Sequence, residues 1–197
     1  MDAVETKIFN YNYDEFLEKL KSFHGSTGPG LIIGGFMIDL ACQSLPVEEI
    51  AGAVCETHKC LPDAIQLLTP CTIGNGKLKL IDSGRFALTL CDKNQSKGVR
   101  VFVDAPKLEN WQEIKKWFFN LIPKKDQNFR LLLQQIKEAG ANICSLQHVT
   151  VDISFKKVYL TEYTICPQCR EAYRASDGKM CPNCQGQKSY YSPQVLL

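Results

Sequence analysis

No stretch of this 197-residue chain stays apolar long enough to cross a bilayer. The longest, Leu31 to Ile38, contains two glycines and runs into Asp39. A basic leader is missing too. Met1-Asp2-Ala3-Val4-Glu5 is acidic where a signal or transit peptide is basic, so a cytoplasmic protein with no membrane association is expected. There is no internal repeat and no low-complexity run. There is also no large excess of either charge: the net +2 excludes a strongly basic nucleic-acid binder and a polyacidic tail. Residues 1–110 carry 11 Lys/Arg against 14 Asp/Glu, and residues 111–197 carry 12 against 7. A basic excess of that size on the C-terminal half reads first as a solvated face.

The composition is that of a globular protein, 45% hydrophobic and 22% charged. The length suits one core domain with a small appendage. Ten cysteines are the unusual feature. In a chain without a secretory leader their expected uses are metal binding, catalysis or burial, not disulfides.

Helical periodicity puts Phe16, Leu17, Leu20 and Phe23 on one face of Tyr13–Phe23, with acids leading, lysines trailing and Gly25 as the stop. Pro29 opens a second helix to about Leu45 that is apolar nearly all round and therefore buried. Ile50–Cys55 reads as a strand and Pro62–Leu68 as a short helix. Leu78–Asp82, Phe86–Cys91 and Val99–Val103 read as an antiparallel meander. Helices follow at about 110–121 and 127–139, and strands at 149–153 and 158–163 lead into the tail. Segregated helices and hairpins predict an α+β core of helices on an antiparallel sheet, residues 1–145. A small zinc-binding domain follows over 146–197.

The tail holds Cys166-Pro-Gln-Cys169 and Cys181-Pro-Asn-Cys184. Each short turn aims two thiolates at one ion, and two such turns complete a tetrahedron. Tyr173 and Tyr190 are placed to cover the metal. So short a segment buries little core, and the metal must supply folding energy. The expected ion is a structural Zn2+. With four protein ligands it keeps no open position for catalysis. Among residues 164–197 only Arg170, Arg174, Lys179 and Lys188 are basic, against Glu171 and Asp177. That is thin for phosphate neutralisation, so nucleic-acid binding ranks last.

The first half carries a second constellation. His24 precedes the turn Gly25-Ser26-Thr27-Gly28-Pro29-Gly30; Cys60 precedes the helix opened by Pro62; Cys71 begins Cys71-Thr72-Ile73-Gly74. A helix N-terminus favours a thiolate, which makes Cys60 the candidate nucleophile or ligand. The bland alternatives are a helix-end histidine, buried cysteines, a helix-start Asp63 and a simple turn at Gly74-Asn75-Gly76.

These segments resemble the FmdE family, the E-type component of formylmethanofuran dehydrogenase. The resemblance runs over residues 24–103: His24-Gly25 with Pro29-Gly30, Glu56-Thr57…Cys60…Asp63-Ala64-Ile65-Gln66, Cys71-Thr72-Ile73-Gly74 and Val99-Arg100-Val101. Some family members end in a treble-clef zinc finger, which the tail resembles. The resemblance implies an α+β core, dimers, and a cleft where His and Cys side chains bind a metal. Family members usually read His-Gly-His-x-Cys-Pro-Gly, whereas Ser26 and Gly28 stand here at the second His and the Cys. A core metal would then have at most His24, Cys60 and Cys71, with an open position. Nothing in the chain resembles a pterin-binding or iron–sulfur relay fold, and the tail cysteines lack ferredoxin spacing.

The reading is a zinc-binding accessory or interaction protein with a His24/Cys60/Cys71 metal or ligand site in its core. The alternative is a small enzyme or carrier working through Cys60 and His24. The apolar second helix, with Trp111, Trp117, Phe118 and Phe119, predicts a homodimer, and a protein partner is expected beside it.

Overall fold

The computed structural model describes residues 6–93, 97–155 and 162–187. In chain order the elements are β1 (Lys7–Ile8), β2 (Tyr11–Asn12), α1 (Tyr13–His24), α2 (Pro29–Cys42), β3 (Ile50–Cys55), α3 (Leu61–Leu68), β4 (Leu78–Leu80), β5 (Ala87–Asp92), β6 (Lys97–Val103), α4 (Gln112–Phe118), α5 (Phe129–Ala139), β7 (Cys144–Thr150), β8 (Tyr163–Ile165) and β9 (Ala172–Arg174). The chain divides into two compact units, Met1–Phe155 and Lys156–Leu197. The boundary expected at residue 145 instead falls within β7. That strand pairs with β6 along its length, from Val103 opposite Cys144 to Lys97 opposite Thr150, and so belongs to the core sheet.

Local chemistry sets the helix ends. Asn12 and Glu15 form a reciprocal capping box on α1, with the Glu15 N–H donating to Asn12 Oδ1 at 2.9 Å and the Asn12 N–H to Glu15 Oε2 at 3.0 Å. Gly25 closes the helix in the left-handed conformation, φ 84°. Pro29 opens α2, whose buried side chains include Leu31, Ile32, Ile33, Met37 and Ile38. α2 packs on β5, β6 and β7 and meets α1, α3 and α5 on its other sides. An all-round apolar surface suits that central place.

The five-stranded sheet has the order β4-β3-β5-β6-β7. β5 and β6 form the expected hairpin. The meander does not extend to β4: β3 lies between it and β5, and β4 runs parallel to β3, Ala53 opposite Leu78 and Cys55 opposite Leu80. The cause is α3, a crossover helix that packs on both strands and returns the chain in the same direction. All other pairings in this sheet are antiparallel.

Residues 151–155, where a strand is expected beyond Thr150, form no ladder and turn across the face of the sheet opposite α2. Val151, Ile153 and Phe155 cover Val54 and Cys91 there. The strap seats on two glycines. A Cβ on Gly98 would come within 2.8 Å of Val151, and one on Gly52 within 2.4 Å of the Phe155 ring. The Lys79 ammonium donates to the Ser154 carbonyl at 2.5 Å and lies 5.4 Å from the Phe155 ring centroid.

The two features that pointed to a homodimer are largely satisfied inside the protomer. α2 is buried, and Trp111, Trp117 and Phe118 pack half-buried against the core, leaving Phe119 as the exposed member. In the second unit β8 and β9 pair antiparallel, Tyr163 opposite Arg174. The expected strand at 158–163 and the cover by Tyr190 fall mostly or wholly outside the described residues. Among the described residues no helix is long and apolar enough to cross a membrane.

Candidate functional site: the four-cysteine centre and the Cys60 turn

Each cysteine pair of the tail is held by its own tight turn. In the first, the Arg170 N–H donates to the Cys166 carbonyl at 3.0 Å, and Arg170 takes φ 66° to complete the bend. The Cys166 N–H returns to the Glu171 carbonyl at 2.9 Å, which feeds the chain into β9. In the second, the Cys184 N–H reaches Cys181 Sγ at 3.4 Å and the Gln185 N–H the Cys181 carbonyl at 3.0 Å. Tyr173, on β9, is buried against the sulfurs, and its hydroxyl donates to the Gly178 carbonyl at 2.7 Å. The Gln185 side-chain amide donates to the Asp177 carbonyl at 3.0 Å and also to the Met180 carbonyl.

These turns bring the ligand atoms of Cys166, Cys169, Cys181 and Cys184 within 4.8 Å of one another. A regular tetrahedron with Zn–S of about 2.3 Å has S···S edges of about 3.8 Å. The Cys169 and Cys181 sulfurs are 3.7 Å apart. Four thiols so close cannot all ionise without a counter-charge. Backbone N–H groups of Cys181 and Cys169 draw Cys166 down to about 6, while the Cys181 thiol, burial and the neighbouring sulfurs push Cys184 up to about 12. The donor set fits a soft divalent cation with four thiolate ligands.

In the first unit, His24 ends α1 and Cys60 precedes α3, whereas Cys71 is fully buried in the core beyond α3. Among the described residues the tail cysteines are the one group of three or more His, Cys, Asp or Glu with ligand atoms within 4.8 Å of one another. His24, Cys60 and Cys71 are therefore not brought together as a three-ligand set. His24 instead pairs with Asp63, Nδ1 to Oδ2 at 2.5 Å. Asp63 Oδ1 accepts from Gln66 at 3.4 Å, and Gln66 Oε1 in turn accepts the Ile73 N–H at 3.2 Å. The helix-start acid thus ties the end of α1 to α3 and on to the loop before β4.

Cys60 has an unusual backbone, φ 55° and ψ −50°. The Leu61 N–H donates to the Lys59 carbonyl at 2.5 Å across it. That is a γ-turn of the strained hand, rare for a residue with a Cβ and costing about 1–3 kcal/mol. It turns the side chain against the first turn of α2, where a Cβ on Gly30 would lie 3.1 Å from Cys60 Cβ and 3.3 Å from Sγ. Glycine there makes room for the half-buried thiol. The expected thiolate is not favoured: burial, followed by the Asp63 carboxylate, raises the Cys60 pKa, and Lys124 and Lys59 offset this only in part. The helix start does not help because no donor caps the side chain; the Asp63 and Ala64 N–H groups go to the Cys60 carbonyl.

A group given no role from sequence is the most elaborate in the unit. Glu56, buried at the end of β3, accepts from Arg100 Nε at 2.6 Å and Nη2 at 3.1 Å and from Ser83 at 3.1 Å, and pairs with Arg85 at 2.7 Å. Its signals in the sequence are an arginine between the apolar Val99 and Val101 and a glutamate directly after the apolar run 50–55.

Two family models match this chain. FmdE, described by the molybdenum formylmethanofuran dehydrogenase operon, matches residues 23–151, and the FmdE treble-clef zinc finger matches residues 161–191. A solved relative, an FmdE-like protein of tungsten formylmethanofuran dehydrogenase type from Syntrophus aciditrophicus, is 46% identical. The match covers 96% of this chain and 100% of that one, with a TM-score of 0.84. A probable S-adenosyl-L-methionine-binding protein of Archaeoglobus fulgidus is 30% identical over 198 residues, 89% of this chain and 53% of its own. This chain spans about half the length of that relative. With an α+β core, a treble-clef finger and four clustered cysteines, the chain belongs to the FmdE family.

Proposed function

We propose that this protein is an accessory, interaction-type member of the FmdE family whose tail holds one structural zinc. The observation that carries the reading is the tail geometry. Four sulfurs within 4.8 Å of one another, two of them 3.7 Å apart, can fill a zinc coordination sphere and leave no position for water or substrate. Zinc there supplies the folding energy that a segment of this size lacks. The test is chelation of the full chain, followed by limited proteolysis. Zinc release should open residues beyond about 156 to cleavage while the first unit resists; a chain that keeps the tail protected without metal overturns the reading.

A second reading, a small ligand or labile ion at Cys60, is favoured by one observation, the strained turn that holds this thiol against Gly30. The description of the Archaeoglobus relative supplies a ligand class to try. S-adenosyl-L-methionine should slow Cys60 alkylation on this reading and leave it unchanged on the first.

A further inference from the structure

The segment between α4 and α5 is costly as a purely structural connection. Phe119, Leu121 and Phe129 are 46%, 57% and 50% exposed within eleven residues. Lys124, Lys125 and Arg130 are interleaved with them, are exposed, and have no ion-pair partner among the described residues, with Asp126 the one acid between them. The neighbouring Lys115 and Lys116 are neutralised by Glu109 and Glu113. Arg130 lies in the first turn of α5, which carries no acid, so its charge faces the positive end of the helix dipole. Exposed aromatic surface and a cation at the wrong helix end are both unfavourable for the isolated fold. Both become favourable against a surface of opposite charge that also offers apolar groups.

We propose that residues 119–130 form a docking surface for an acidic, apolar segment of a partner protein; this rests on the interaction reading above. Charge argues against the other occupants. A second copy placed across a two-fold axis on this patch would set Lys124, Lys125 and Arg130 against their own counterparts. Polybasic membrane segments use about four to eight cations, and firm nucleic-acid binding roughly six to ten phosphate contacts. Three cations beside three exposed apolar side chains fit a short acidic segment better.

The test is selection of a random peptide library displayed on phage against the full chain and against Lys124→Glu/Lys125→Glu, with circular dichroism to verify the variant's fold. The parent should enrich peptides that interleave Asp or Glu with aromatic or aliphatic residues. The reversed variant should bind these about tenfold more weakly and enrich basic ones instead. Peptides that ignore the reversal would remove this surface and leave the interaction reading standing; a parent that enriches no peptide removes both. Pelleting with phosphatidylserine vesicles, or a dimer dissociated by Leu121→Glu, would hand the patch to a membrane or a second copy and overturn the proposal.

Discussion

Glu56 is a carboxylate placed where burial alone would protonate it. Desolvation pushes its pKa up, but the Arg100 hydrogen bonds and charge, then Ser83 and Arg85, outweigh that and hold it below the ordinary carboxylate value. A folded-state pKa below the unfolded one contributes stability above about pH 4.3, the unfolded value, and that stability is lost as pH falls through the folded value. Acid unfolding of the first unit should therefore steepen below about pH 4.3 in the parent and flatten in Glu56→Gln. At neutral pH the same variant strands Arg100 beside a neutral amide and should cost about 3 kcal/mol by urea denaturation. Cys60 makes a second prediction at this scale. Its alkylation should titrate above the free-thiol value of about 8.5, and Asp63→Asn should lower that midpoint by removing a nearby negative charge. The position of Cys60 at a helix start was legible in Pro62, but the direction of its shift was not. That depends on which N–H groups point at the sulfur and on Asp63 folding back toward it, and neither is a property of spacing.

Elements defined by local signals were readable to within a few residues. Gly25 and Pro29 mark helix ends through their own backbone preferences, and the Cys-x2-Cys turns are contained in four residues each. The errors lie where an element's fate depends on distant partners. β4 has the pattern of any short strand; its parallel pairing follows from α3 packing across β3 and β4. Residues 151–155 alternate like a strand because their apolar members cover a sheet face, whereas the ladder with β6 runs only to Thr150 opposite Lys97. The strap gives an element-scale prediction. Phe155→Ala removes a ring resting on Gly52 and should cost about 2 kcal/mol of first-unit stability. Cys91 beneath it should then alkylate faster, while Cys144, in the main core, stays protected; equal rates at Cys91 in parent and variant would deny the strap that role.

At the scale of the whole molecule the chain is two units with different sources of stability. The first buries a continuous core around α2; among the described residues of the second the buried cluster is Cys166, Tyr173 and Cys181. We also propose a homodimer, which the family resemblance implies and which should appear in sedimentation at micromolar concentration. On the proposed function, metal is structural and confined to the tail. The most direct measurement is zinc per chain in the parent, Cys181→Ser and Cys60→Ser, each followed by thermal unfolding. One tightly held zinc is expected in the parent and in Cys60→Ser, with its loss in Cys181→Ser and a first-unit transition unchanged by that loss. A second equivalent that disappears with Cys60, or a first unit that melts with Cys181→Ser, would contradict it.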